Sequence, residues 1–360
     1  MPFRLEPRPL PSKLFVYLSP LLAVALTLIT GAILFTALGH DPAIALYTFF
    51  VRPIDSLYGF GEMCLKATPL LLIAIGLSIG FRGNVWNIGA EGQLTMGAIA
   101  GGGVALAFYG QEGFWILPLM VLAGALGGMA WGAIPAFLKT RFNANEILTS
   151  LMLSYVSILI LSYLVHGPWR DPEGFRFPES RIFSEAAVMP VILEGTRVTV
   201  AALGALVVVV LGWLMMSRMF MGFQVKVTGL ADAAARYAGY SRSRVVWLSF
   251  LVSGGLAGIA GLAEVAGPIG QLLPTISPGY GFAAIIVAFV GRLHPVGILA
   301  ASLLMALLYL GGETVQMELG LPPAVTGVFQ GLLLFFLLAS DVLIRYRIRR
   351  RRPVVEGAGS

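Results

Sequence analysis

Only one cysteine, Cys64, occurs in the 360 residues, which excludes an intrachain disulfide and any cysteine-rich metal site. Histidine is almost as scarce: His40, His166 and His294 stand far apart and no His-Glu-x-x-His occurs, so neither a metalloenzyme nor a haem bundle fits. The four lysines, at 13, 66, 139 and 226, all follow a residue other than glycine, so the chain lacks a phosphate-binding Gly-x-x-x-x-Gly-Lys-[Ser/Thr] loop. If nucleotide hydrolysis drives this protein, another chain binds the nucleotide. No paired carboxylates and no nucleophile beside a base share a motif, so the reading is of a protein that is not an enzyme. Charge is sparse as well. Charged residues make up 12% of the chain against 58% hydrophobic ones, the balance of an integral membrane protein. A net charge of +6 would suggest nucleic acid in a soluble chain. Here the excess sits in loops and at the ends, as membrane orientation requires, so the partner is the lipid bilayer and not nucleic acid.

What is present is a series of apolar runs. At roughly 20 residues per crossing, the length suits an all-α, polytopic membrane helical bundle of about ten transmembrane helices. Residues 1–13 form a basic, proline-rich N-terminus. The run Leu14–Leu38 is too long for a signal peptide and reads as a retained anchor that starts in the cytoplasm. Gly39–Lys66 reads as an outer loop of nearly balanced charge, and Ala67–Phe81, fifteen residues, as a crossing barely long enough to span. Leu94–Tyr109 and Phe114–Leu138 are rich in Gly and Ala, and Gly124 with Gly128 reads as a close helix contact. Asn145 reads as the cap of a helix running to Val165, with Glu146 in its first turn.

The insert 167–195 sets three arginines against five carboxylates, so it belongs outside, where its prolines stiffen it into a docking platform. After a crossing at Thr196–Met216, the loop 217–244 carries five basic residues against Asp232 and belongs in the cytoplasm. Further crossings are read at Val245–Glu264, Gly281–Val290 and Pro322–Leu338. Between the first two, GPIGQLLPTISPGYG is an outer loop or re-entrant piece. His294 reads as an interfacial histidine, and Glu313 and Glu318 as members of an outer loop. Residues 14–344 thus make one transmembrane domain, followed by a basic cytoplasmic tail, 345–360. Both termini lie inside, which requires an even number of crossings.

Two stretches do not read as plain apolar helix. The first is GNVWNIGAEGQLTMGAIAGGG, Gly83–Gly103, where Asn84, Asn87, Glu91 and Gln93 stand among glycines. One reading is an ordinary turn between helices. The other is a broken helix whose polar groups line a solute path, since irregular backbone at membrane depth is tolerated only against protein or water. A second break, at Arg292 and His294, weakly suggests two similarly built halves. The other stretch is GLADAAARYAGY in the basic loop, read as a short helix with Thr228 as cap, Asp232 and Arg236 at i,i+4, and Gly239 as stop. Leu230, Ala234 and Tyr237 share one face, shaped either to sit in a partner's groove or to rest on lipid headgroups.

Taken together, NIGAEGQ (87–93), ANEILTSLMLSY (144–155), GPWRDP (167–172) and GLADAAARYAGYSRSRV (229–245) resemble the permeases of bacterial ABC importers. The group is the one serving ribose and branched-chain amino acids, and the resemblance is strongest to nucleoside permeases that work with a basic-membrane-protein-like lipoprotein. It implies a sister permease subunit, two cytoplasmic ATP-binding subunits and an external substrate-binding lipoprotein, in the bacterial cytoplasmic (inner) membrane. No cofactor belongs to the chain itself, ATP being bound by the partners. It also implies that Gly229, Leu230, Asp232, Ala233, Ala234, Arg236, Tyr237 and Gly239 form the ATPase-coupling helix. A nucleoside cargo would want ring stacking and a few hydrogen bonds, for which Trp86, Tyr155, Asn87, Glu91 and Gln93 are the candidates. Two departures stand out: Ser154 replaces the asparagine of an MLNY motif, and Asp232-Ala233-Ala234 replaces Glu-Ala-Ala. Simple sugars or branched-chain amino acids are alternative cargoes, and an ion-coupled transporter using Glu91 is the alternative mechanism.

Overall fold

The computed structural model describes residues 3–7 and 13–350, with side chains from Leu18 to Val342 except Asp341. Much of the expected basic N-terminus (residues 1–2 and 8–12) and the tail from residue 351 lie outside the described residues. Seven described helices are long and apolar enough to cross a membrane. The chain is therefore a multi-pass helical membrane protein. Three shorter stretches, including Tyr280–Val290, bring the number of passes toward the expected ten only if each carries the chain across, which length alone does not require.

The helices cluster into two compact units. The first joins the described residues up to Arg52 with those from Gly311 onward. In it, α1 (Lys13–Ala37) lies along α13 (Ala324–Arg345), and α2 (Pro42–Phe50) closes over α1. Helix α2 starts where it does because Pro42 fits the first turn and Asp41 accepts from Ala43 N (2.8 Å) and Ile44 N (3.1 Å). The rings of Phe35 and Phe49 meet Phe329 at 5.6 and 4.5 Å between centroids, the largest side chains of this core. Two short strands, β1 (Phe3–Pro7) and β2 (Tyr346–Arg350), pair antiparallel.

Helix α12 (Pro295–Leu319) runs on through Glu313 and Glu318, which are helical and not in a loop as expected. No proline or left-handed residue interrupts it before Gly320, and Arg52 Nε meets Glu318 Oε1 at 3.2 Å.

The second unit, Pro53–Leu310, holds the remaining helices. Here the expected outer loop Gly39–Lys66 gives way to α3 (Leu57–Arg82), which starts ten residues before Ala67. Ser56 Oγ caps it by accepting from Gly59 N (3.0 Å). The charge at Glu62 is neutralised by a two-point contact with Arg197 (2.8 and 2.5 Å), which lets the helix continue through it. Donating to Glu62 also holds the Arg197 guanidinium above its ordinary pKa. With 26 residues, about 39 Å long, α3 is not the short crossing that the apolar run suggested.

Three helices form the centre: α4 (Ala90–Ala107), α5 (Ile116–Phe142) and α10 (Arg242–Glu264). Glycines set their separation. A side chain on Gly97 would collide with the backbone of Gly258, and one on Gly128 with the carbonyl of Gly254. Gly124 and Gly128 are therefore helix-contact residues, as read from the sequence. Around this centre lie α6 (Glu146–His166), α7 (Val200–Arg218) and α11 (Tyr280–Val290). The segment 167–195 is well tethered: Ser180 N and Phe183 N donate to Leu272 O (3.0 Å) and Gly270 O (2.8 Å), and Met189 N to Ala266 O (2.7 Å).

Candidate functional site

The break between α3 and α4 is built by serving the backbone groups that a broken helix frees. After Arg82 the chain turns through Asn84, whose φ of 54° is left-handed, a conformation asparagine tolerates. Asn87 then hydrogen-bonds in three directions. Its Oδ1 accepts from Gly89 N (3.0 Å) and Gln93 Nε2 (3.2 Å), and its Nδ2 is 2.8 Å from both Gln93 Oε1 and Ser253 Oγ. Helix α6 supplies a row of hydroxyls: Ser150 Oγ accepts from Ile88 N (3.2 Å) and Ser154 Oγ from Gly92 N (3.3 Å). The freed amides at the start of α4 are thus met by protein, as hydrocarbon depth demands. The depth itself follows from Ser253, eleven residues into α10 and so about 16 Å from its start.

Glu91 does something different. Its Oε2 accepts from Gly281 N (2.6 Å), in the first turn of α11, and the hydroxyl of Ser277 is a further partner. Ser277 Oγ also accepts from Gly279 N (3.1 Å) and Tyr280 N (2.9 Å). A carboxylate is placed where a helix presents its positive end, so a charge costly to insert becomes a clamp between the starts of α4 and α11. The fit is tight: a Cβ on Gly281 would lie 2.5 Å from Glu91 Cα.

The second break, expected at Arg292 and His294, meets the first. Arg292 and Leu293 are left-handed, at φ of 58° and 56°, and Leu293 O accepts from Arg82 Nη2 (2.6 Å). Rings cover this junction. Phe81 and Trp86 each stack on Phe289, with centroids 5.1 and 5.9 Å apart.

The candidate residues are therefore divided. All three polar candidates are buried, at 2, 4 and 1% exposure for Asn87, Glu91 and Gln93, but only Asn87 and Gln93 bond to each other, while Glu91 turns to α11. Trp86 stands next to them in the ring stack. Tyr155 does not join them: it is 57% exposed on the side of α6 away from the serines. The sequence reading missed Ser150, Ser253 and Ser277. The spacing of Ser150, Ser154 and Ser157 along one stripe of an apolar helix was the available signal.

The basic loop after α7 divides into two helices, α8 (Phe220–Leu230) and α9 (Asp232–Tyr237). Thr228 is not a cap: it lies inside α8, buried, and its hydroxyl has no hydrogen-bond partner. The reason is close contact with α3, since a side chain on Gly229 would strike the carbonyl of Arg82, so α8 continues past Thr228 and the chain breaks at Ala231. The rest follows the expected pattern. Arg236 Nη2 meets Asp232 Oδ2 at 2.5 Å, and Gly239 ends the helix at φ 77°. Leu230, Ala233, Ala234 and Tyr237 are exposed, Tyr237 at 96%.

Residues 59–338 match the family described as branched-chain amino acid transport system / permease component. A glucose ABC transporter permease protein, TsgB13 of Haloferax volcanii, is 37% identical over 355 residues, 96% of this chain and 93% of that one. A guanosine ABC transporter permease protein, NupP of Bacillus subtilis, is 29% identical over 91% of this chain and 94% of its own length. The nucleoside ABC transporter permease protein NupB of Lactococcus lactis is 27% identical, over 91% and 92%.

Proposed function

The chain belongs to the family of permease components of branched-chain amino acid transport systems, and from that premise we propose that it is the membrane subunit of an ATP-driven importer of nucleosides. The observation that carries this reading is full-length similarity to the permeases for guanosine and nucleosides, joined to a sequence without a phosphate-binding loop. The chain works in the cytoplasmic membrane with a sister permease, two ATP-binding subunits and an external binding lipoprotein. It needs no cofactor of its own.

In this mechanism the lipoprotein delivers the solute to the outer face, where the tethered segment 167–195 receives it. Closure of the ATP-binding subunits pulls on α9 and the end of α8, where exposed Leu230, Ala234 and Tyr237 fit a partner's groove. The pull reaches the break directly, because Gly229 rests on the end of α3. The solute path runs along the break, with Trp86 offering ring surface. Asn87, Glu91 and Gln93 hold the break and exchange partners as it opens.

A second reading is favoured by the 37% identical relative, whose name specifies glucose: the cargo is then a simple sugar. Uptake of labelled nucleoside in a deletion strain restored with the full set of subunits separates the two. Competition by unlabelled nucleosides but not by glucose or leucine is expected. Competition by glucose alone selects the sugar reading, and uptake that survives ATP depletion but collapses with an uncoupler ends both.

A further inference from the structure

Two cavities on the basic end of the second unit adjoin. The first is a slot of about 440 Å3 between α3, α5, α7 and α10, lined by Ile75, Ile79, Leu211, Met215, Val252 and Leu256 among others, with almost no polar wall. The second, about 340 Å3, is a polar mouth where Gln224, Tyr240, Ser241, Arg244 and Trp247 gather. Met221 and Leu248 line both, so the two lie side by side against the same side chains.

The level of each part is set by the helices. The slot is walled by membrane-spanning segments, where the surrounding solvent is hydrocarbon. The mouth lies where α7 ends, at Arg218, and α10 begins, at Arg242, the level of lipid headgroups. Tyr240 and Trp247 are the side chains expected there.

Charge supplies the remaining argument. The only carboxylate of the loop, Asp232, is already shared by Arg236 (2.5 Å) and Arg242 (3.5 Å). Arg244 is exposed and has no ion-pair partner among the described residues, and neither has Lys226. An unpaired guanidinium is thus held at the mouth of a slot that only hydrocarbon suits.

We propose that slot and mouth form one site for an anionic phospholipid, an acyl chain lying between α3, α7 and α10 and the phosphate meeting Arg244. Apolar volume and cation follow each other in the order in which such a lipid presents tail and headgroup. The occupant braces the junction of α7 and α8, the root of the segment that carries α9.

Native mass spectrometry of the assembled, delipidated transporter tests this, with phosphatidylglycerol or phosphatidylcholine added back. Preferential retention of phosphatidylglycerol is expected, weakened about fivefold by Arg244→Gln and preserved by Arg244→Lys. Leu211→Trp, which fills the slot and leaves Arg244 in place, abolishes retention, and it decides alone if Arg244→Gln does not assemble. Equal retention of the two lipids, undiminished retention in Leu211→Trp, or displacement by glycerol phosphate overturns the proposal.

Discussion

Asn87 illustrates how much one amide can hold. Both its oxygen and its nitrogen serve two partners, drawn from the break, from α4 and from α10. Asn87→Ala strands a buried glutamine amide and a backbone N–H, and each orphan costs about 1 to 3 kcal/mol, while the Ser253 hydroxyl keeps its bond to Phe250 O. The expected outcome is a lowered unfolding midpoint in detergent together with lost uptake. Glu91 is to be separated from it by a paired test. Glu91→Gln keeps an acceptor for Gly281 N and retains most of the folded stability, whereas Glu91→Ala loses about 2 kcal/mol. If the alanine variant unfolded no earlier than wild type, the clamp between α4 and α11 would not be what this carboxylate does.

At the scale of elements, α9 separates folding from function. Tyr237 is almost wholly exposed, so truncating it leaves folding within about 0.5 kcal/mol of wild type. Tyr237→Ala is expected to insert and assemble normally, yet to cut transport and substrate-stimulated ATP hydrolysis, measured in proteoliposomes of the complete complex. Unchanged transport would place the coupling contact elsewhere. Much of this element was legible beforehand: the Asp232–Arg236 pair and the stop at Gly239 follow from spacing and from left-handed backbone. The cap was not. Nothing local distinguishes Thr228 from a capping threonine, and only contact with α3, distant in sequence, carries the helix past it. The start of α3 was obscured for a similar reason. Glu62 and Lys66 look like loop residues until Arg197, 135 positions away, is seen against Glu62. Sequence periodicity reports local faces well, and it is silent on which distant group neutralises a charge.

For the whole molecule the central expectation is sidedness. The segment 167–195 and the loop 217–244 should face opposite solutions, and the chain offers a simple test because Cys64 is its sole thiol. In a Cys64→Ala background, Glu185→Cys is expected to react with a membrane-impermeant maleimide on intact cells, and Ser243→Cys only after permeabilisation. Labelling of both from one side would remove the assigned orientation and with it the place of the partner subunits. The glycine contacts of α4, α5 and α10 carry a mechanical consequence for any such machine. Where Gly97 touches Gly258 and Gly128 touches Gly254, no side chain stands between the two strands of backbone to swing aside. Shear along that line would drive carbonyl oxygen into α-carbon, so the three rods travel as a single block. A gate has to open along seams filled by pliant chains instead, such as the one that Met129, Met215 and Met221 line.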